Sequence, residues 1–135
     1  MVLGEKLFEE KGKTTMSFIK EVNVQGIIVK QSFESEVKGM GRFPSGKNMG
    51  SGGFWMYPNG NAQGKWRGML MTDDGQMLVW NGNGHSNRTG TSVKGIMVIR
   101  FMTQSEKYAW LNKALIVADL QGDMTSYSSA GYEWK

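Results

Sequence analysis

The sequence predicts an all-β protein: an antiparallel meander closing into a barrel of about eight strands, with one short helix. Three observations carry that prediction. Apolar and polar residues alternate with a period of two in one segment after another. Clusters of turn-forming residues separate those segments at short intervals. Nineteen glycines accompany only two prolines, and the glycines keep no three-residue period, which rules out collagen. A meander of this length removes its exposed edges best by closing on itself. A two-sheet sandwich is the alternative, and strand counting does not separate the two.

Taken in order, Leu3–Lys11 and Thr15–Val24 read as strands on either side of a break at Gly12. From Ile27 to Lys38 the alternation is clear: positions 27, 29, 33 and 37 are apolar while 30, 34, 36 and 38 are charged. Glu34 and Glu36 therefore point to solvent rather than forming an acid–base pair. Gly53–Tyr57 ends at Pro58-Asn59-Gly60, and Ala62–Thr72 ends at Asp73-Asp74-Gly75. Gln76–Gly84 and Val93–Gln104 follow, then Ala114–Leu120 and Thr125–Trp134 around a turn at Gln121-Gly122-Asp123. Ser105–Asn112 breaks the pattern. Its serine is a good N-cap and Tyr108, Trp110 and Leu111 share a face, so a helix of at most two turns is expected there, plugging or crossing between strands.

The central hairpin has a testable register. With Asp74-Gly75 as a two-residue type I′ turn, Met71 opposes Leu78 and Met69 opposes Trp80. On the other face Leu70 then opposes Val79, Gly68 opposes Asn81 and Trp66 opposes Asn83, with His85 diagonal to Trp66. That places Trp66, Asn81, Asn83 and His85 together over Leu70 and Val79, the composition of a pocket at a barrel mouth. A three-residue loop, Asp73-Asp74-Gly75, would shift every opposition by one and exchange the faces of one strand.

At 135 residues with no cysteine, the chain suits a single β-barrel domain over residues 1–135, stabilised without disulfides and lacking thiolate chemistry. Acids stand where a signal peptide would have its apolar centre, and no apolar run suits a membrane helix, so a soluble cytoplasmic protein is expected. The net charge of +4 comes from scattered bases, so nucleic acid is not an expected partner.

Several motifs fail on inspection. Gly12-Lys13-Thr14 lacks the upstream glycine of a phosphate-binding loop and reads as a turn. Gly82–Gly90 holds exposed backbone donors, Arg88 and the single histidine, His85, but no helix follows it as a dinucleotide fingerprint requires. A polar hairpin loop is the favoured reading there, an anion site the alternative. One histidine builds no metal site, and no catalytic triad or cofactor motif can be identified. As a lone acid–base group His85 is the weak catalytic candidate. Arg100, in an otherwise apolar strand, pairs with an acid such as Glu34 or Glu133 or anchors a ligand carboxylate or phosphate. Eleven methionines and five tryptophans suggest a core of large adaptable side chains, including Met69, Met71, Met77, Met97 and Met102, or a roomy barrel lined by them.

Gly64/Gly68, Thr72-Asp73-Asp74-Gly75, Trp80-Asn81-Gly82-Asn83-Gly84 and Thr103-Gln104-Ser105-Glu106 together form a pattern that resembles small uncharacterised prokaryotic barrel proteins. Their architecture is calycin-like, of the allene-oxide-cyclase and dirigent type. The resemblance covers the second half of the chain well and the first half loosely. It implies an eight-stranded barrel, a central cavity and a tendency to oligomerise, and it transfers no catalytic residue.

The expected function is binding of a small, largely apolar ligand in a central cavity, with Trp66, Asn81, Asn83, His85 and Arg100 as contacts. The alternatives are an isomerase or cyclase working in the same cavity through His85 or an interior carboxylate, and an oligomeric interaction module presenting Trp55, Tyr57 or Trp134.

Overall fold

The computed structural model describes residues 3–135, so residues 1 and 2 of the expected domain lie outside the described residues. Eight strands close into a ring in which each is antiparallel to its sequence neighbours and the last pairs with the first. They are β1 (Leu3–Asn23), β2 (Gly26–Gly39), β3 (Gly46–Met56), β4 (Asn61–Thr72), β5 (Met77–Thr89), β6 (Ser92–Met102), β7 (Ile116–Gly122) and β8 (Ser126–Trp134). The alternation and the turn spacing thus led to the right architecture: a barrel, not a sandwich.

An eight-stranded barrel has an interior just wide enough for side chains to fill or for one small ligand. At one end it is filled. Leu7, Phe43, Leu78, Tyr108, Leu111 and Ile116 are buried there, beneath the long β6–β7 connection. That connection holds a five-residue 3₁₀ helix, Ala109–Lys113, shorter and later than the helix expected over Ser105–Asn112. Side-chain bonds fix it in place of helical turns. Asn112 accepts from the Thr103 backbone N–H at 2.8 Å and donates to the Thr103 carbonyl at 3.0 Å. Tyr108 donates to Asp74 at 2.8 Å. Arg42 lies 3.8 Å above the Trp110 ring and reaches Glu133 at 3.3 Å.

Further in, large rings lie flat across glycines of the neighbouring strand. A Cβ on Gly12 would sit 2.5 Å from the Tyr127 ring, and one on Gly68 would sit 2.6 Å from the Trp80 ring. Gly50 stands in the same relation to Phe33, and Gly131 to Phe8. The glycine content therefore serves the interior as well as the turns. Gly12 is not a break: β1 runs unbroken through it for 21 residues, and Gly12-Lys13-Thr14 is strand rather than turn.

Two further expectations are corrected. The Gly82–Gly90 stretch is not a loop, because β5 continues to Thr89 and pairs with β6 along that length. The β4–β5 register is one residue from the type I′ expectation, with Met71 opposite Met77, Gly68 opposite Trp80 and Trp66 opposite Gly82. The loop is Asp73-Asp74-Gly75: Gly75 N–H bonds the Thr72 carbonyl at 3.0 Å and Thr72 N–H bonds the Gln76 carbonyl at 2.9 Å. A type I′ turn needs positive φ at both central residues. Only Gly75, at φ +89°, supplies it, since no described non-glycine residue has positive φ. Asp74 instead turns its carboxylate to Thr72, Tyr108 and Lys107, whose hydrogen bonds hold its pKa below the usual range, Lys107 contributing most.

This register also overturns the methionine reading. Met49, Met71, Met77 and Met102 lie exposed on the barrel's outer face, with Met69 directly between Met49 and Val79. Of the strand methionines expected in the interior, Met97 is the one packed against the core.

If rings on glycines set the interior, Gly12→Ala should destabilise the fold by about 1–3 kcal/mol through overpacking against Tyr127. Equilibrium urea unfolding measures this. Adding Tyr127→Leu should recover part of the loss, and strictly additive effects would count against the contact.

Candidate functional site

The interior is plugged at the end carrying the 3₁₀ helix and opens toward the end carrying the β3–β4, β5–β6 and β7–β8 turns. Between plug and mouth lies a cavity of about 190 Å³. Its walls are mainly aromatic and aliphatic, with Phe33, Phe54, Trp66, Trp80, Met97 and Ile99 prominent. Phe33 is the hub. Its ring centroid lies 5.9 Å from those of Trp66, Trp80 and Tyr127, and the rings meet tilted or edge-on, as aromatic pairs prefer.

One wall is polar. In β1 the inward positions include Phe8, Glu10, Gly12 and Thr14, so alternation alone carries a carboxyl group inside. Ser35 Oγ donates to Glu10 Oε2 at 2.6 Å, and the Tyr127 hydroxyl donates to the same oxygen at 3.4 Å. Trp80 Nε1 donates to Asn48 Oδ1 at 2.7 Å, which leaves the Asn48 amide nitrogen to donate toward Glu10. Burial pushes the Glu10 pKa up, and only neutral donors, Ser35, Asn48 and Tyr127, oppose the shift. Tyr127 is pushed up as well, by burial first and the Glu10 charge second. The pair is thus a carboxyl group biased toward its neutral form beside a phenol that keeps its proton.

A second polar group stands near the mouth. Arg88, at an inward position of β5, donates through Nη1 to the Gly90 carbonyl at 2.8 Å. Its Nε is buried without a hydrogen-bond partner. A buried donor left unpaired is uncommon and calls for an acceptor.

Of the residues expected to form the site, Trp66 faces the cavity. Asn81, Asn83, His85 and Arg100 do not share its face. The one-residue shift in register turns Gly82, Gly84, Ser86 and Arg88 inward and leaves those four side chains exposed. His85 borders both the cavity mouth and an outer groove that Asn81 and Asn83 also line. Arg100 has no ion-pair partner among the described residues: Glu34 pairs with Lys13, and Glu133 with Arg42 and Lys135. Among the described residues no three histidine or acidic side chains converge as metal ligands, and no helix is long and apolar enough to cross a membrane.

Glu10, Ser35, Asn48, Tyr127 and Arg88 were missed by sequence reasoning as cavity groups. The signal for Glu10 was present. Once β1 is read as continuous, Phe8-Glu10-Gly12-Thr14 forms one face and places a charge within it.

The fold is shared with proteins of little sequence similarity. No family model matches the chain, and no curated protein matches it in sequence. Among solved structures it is similar to a β-barrel-like protein from Acinetobacter baumannii (TM-score 0.86, 17% identity, covering 99% of this chain and 96% of that one). It is also similar to a conserved protein of unknown function from Rhodopseudomonas palustris (0.83, 17%, 98% of each chain). An enzyme from Penicillium herquei has the same fold at a TM-score of 0.73, with 18% identity over 96% of this chain and 92% of that one. The chain is an eight-stranded antiparallel barrel of a kind found in uncharacterised bacterial proteins.

The Glu10 shift has a consequence for stability. An acid whose folded pKa is raised stabilises the fold fully below its unfolded value, and that contribution is lost as pH rises through the folded value. Glu10→Gln keeps the neutral shape. Its stability relative to the parent should therefore increase as pH rises from the ordinary glutamate range toward neutrality, as read from urea midpoints. A difference that stays constant across that range contradicts a buried, raised Glu10.

Proposed function

We propose that this protein binds a small, largely apolar ligand in the central cavity, through contacts with Trp66, Trp80 and Phe33. The observation that carries the reading is an aromatic cavity with two polar groups at different depths, Glu10 in the wall and the unpartnered Arg88 Nε near the mouth. A cavity of about 150 Å³ accepts benzene, so the cavity here suits a substituted single ring. Arg88 favours a ligand with a carboxylate or other acceptor at one end. Glu10, biased toward its neutral form, favours an acceptor such as a carbonyl or ether oxygen at the other. The calycin-like resemblance supports a cavity in this position.

Ligand entry should change the tryptophan emission, because Trp66 and Trp80 both line the site. Screening small aromatic carboxylates by fluorescence and calorimetry is expected to yield saturable one-to-one binding. Trp66→Ala and Arg88→Leu should each weaken it about tenfold or more, close to 1.4 kcal/mol. Binding that leaves the emission unchanged, or that survives both substitutions, points away from the cavity.

A second reading follows from the Glu10–Tyr127 pair: proton transfer on the bound ligand, as an isomerase or cyclase needs. A carboxyl group with a raised pKa next to a cavity is a suitable general acid or base, and one structural neighbour is described as an enzyme. Here Glu10→Gln should abolish turnover of a bound compound while its affinity changes little. Retained turnover in that variant removes Glu10 from the chemistry.

A further inference from the structure

β1 is much longer than its partner on one side. Its pairing with β8 ends at Lys13 opposite Ser126, and the Thr14 N–H takes the Thr125 carbonyl at 2.8 Å. Beyond that point β1 continues to Asn23 with β2 on one edge and, among the described residues, no strand on the other. Every residue from Thr15 to Gln25 is exposed. The exposed apolar side chains include Met16 (61%), Phe18 (55%), Ile19 (59%) and Val22 (67%). An edge that is unpaired, apolar and about nine residues long is a template for another strand.

We propose that this edge pairs with the same edge of a second copy, antiparallel, about a two-fold axis between Lys20 and Glu21. The side-chain pattern selects that register. Two-fold pairing sets each residue opposite one that must share its face of the sheet. In a regular strand Lys20 and Glu21 would point to opposite faces and could not meet across the axis. Here β1 bulges, with Ile19 opposite Val29 and Glu21 opposite Ile28, so Lys20 is an extra residue. Phe18 and Lys20 line the outer groove together with Ile28, the partner of Glu21. Lys20 and Glu21 therefore lie on the same, outer face.

With the axis at this point, Lys20 of each copy meets Glu21 of the other. Ile19 meets Val22 on the inner face, twice, forming a four-residue apolar cluster. Phe18 meets Asn23 on the outer face. The two charged residues of Thr15–Val24 thus pair with opposite sign, and each residue from Phe18 to Asn23 finds a partner on its own face. A bulge that would otherwise protect the edge instead makes this one register self-complementary. A different partner protein has no such reason to match the strand at both ends.

The test is the oligomeric state of the full chain and of three charge variants, by sedimentation equilibrium over a range of micromolar concentrations. The parent should be a dimer. Lys20→Glu brings four carboxylates together at the axis and Glu21→Lys brings four ammonium groups, so each should raise the dissociation constant at least tenfold. The double variant Lys20→Glu/Glu21→Lys restores opposite signs in this register and should restore the dimer. These side chains are exposed, and matching thermal melts at high salt will show that the variants fold. A parent that stays monomeric overturns the proposal. So does a dimer indifferent to the single changes, or one that the double change does not rescue; the latter two place the contact elsewhere, for instance on the outer methionine face.

Discussion

The structure depends on a steric constraint inside the barrel: several of its largest aromatic rings lie across the interior where the neighbouring strand offers a glycine. Eight strands enclose little space, and a side chain at every inward position would overfill it. Tyr127 over Gly12, Trp80 over Gly68 and Phe33 over Gly50 resolve the conflict by pairing the largest residues with the smallest. The rings then pack against one another through Phe33. Because the plug beneath the β6–β7 connection fills only one end, the same arrangement leaves a cavity toward the other.

The polar wall follows from the same packing. Tyr127 crosses Gly12 and so delivers its hydroxyl to Glu10, the inward residue two positions earlier on β1. Trp80, lying across Gly68, delivers its indole N–H to Asn48. The rings that shape the cavity thereby also set the hydrogen-bonding partners of its carboxyl group. Neutral donors satisfy Glu10 in part and, among the described residues, no cation neutralises it, so burial dominates and the acid form is favoured. The geometry serves recognition of an oxygen-bearing apolar ligand and would equally serve proton transfer.

The fold was legible because strand alternation and turn composition are local signals. β2, β4, β6, β7 and β8 lie close to where the alternation places them, whereas β3 begins at Gly46 rather than Gly53 and β5 runs on past Gly84 to Thr89. What was not legible depended on longer-range effects. The β4–β5 register turned on whether Asp74 would adopt positive φ, and the side chains that hold it otherwise, Lys107 and Tyr108, lie more than thirty positions away in the chain. That one residue of slip exchanged the faces of β5 relative to Trp66, moving Asn81, Asn83 and His85 out and Arg88 in. Gly12 misled for a related reason. Locally a glycine followed by a lysine looks like a turn, and only Tyr127, from the far end of the chain, shows it to be a strand position kept clear for a ring. With β1 read as two pieces, Glu10 was an unremarked acid near a terminus instead of the buried group at the centre of the site.

The central claim is that the barrel holds the Glu10 carboxyl group away from water within an aromatic cavity. Its most direct test is the titration of the Glu10 side-chain carboxyl carbon by NMR, assigned through Glu10→Gln. A midpoint clearly above the usual glutamate range, together with a response of the Tyr127 ring signals to the same titration, is the expected result. A midpoint at or below that range, with Tyr127 unaffected, would mean that Glu10 is solvated and that the cavity wall is not built as described.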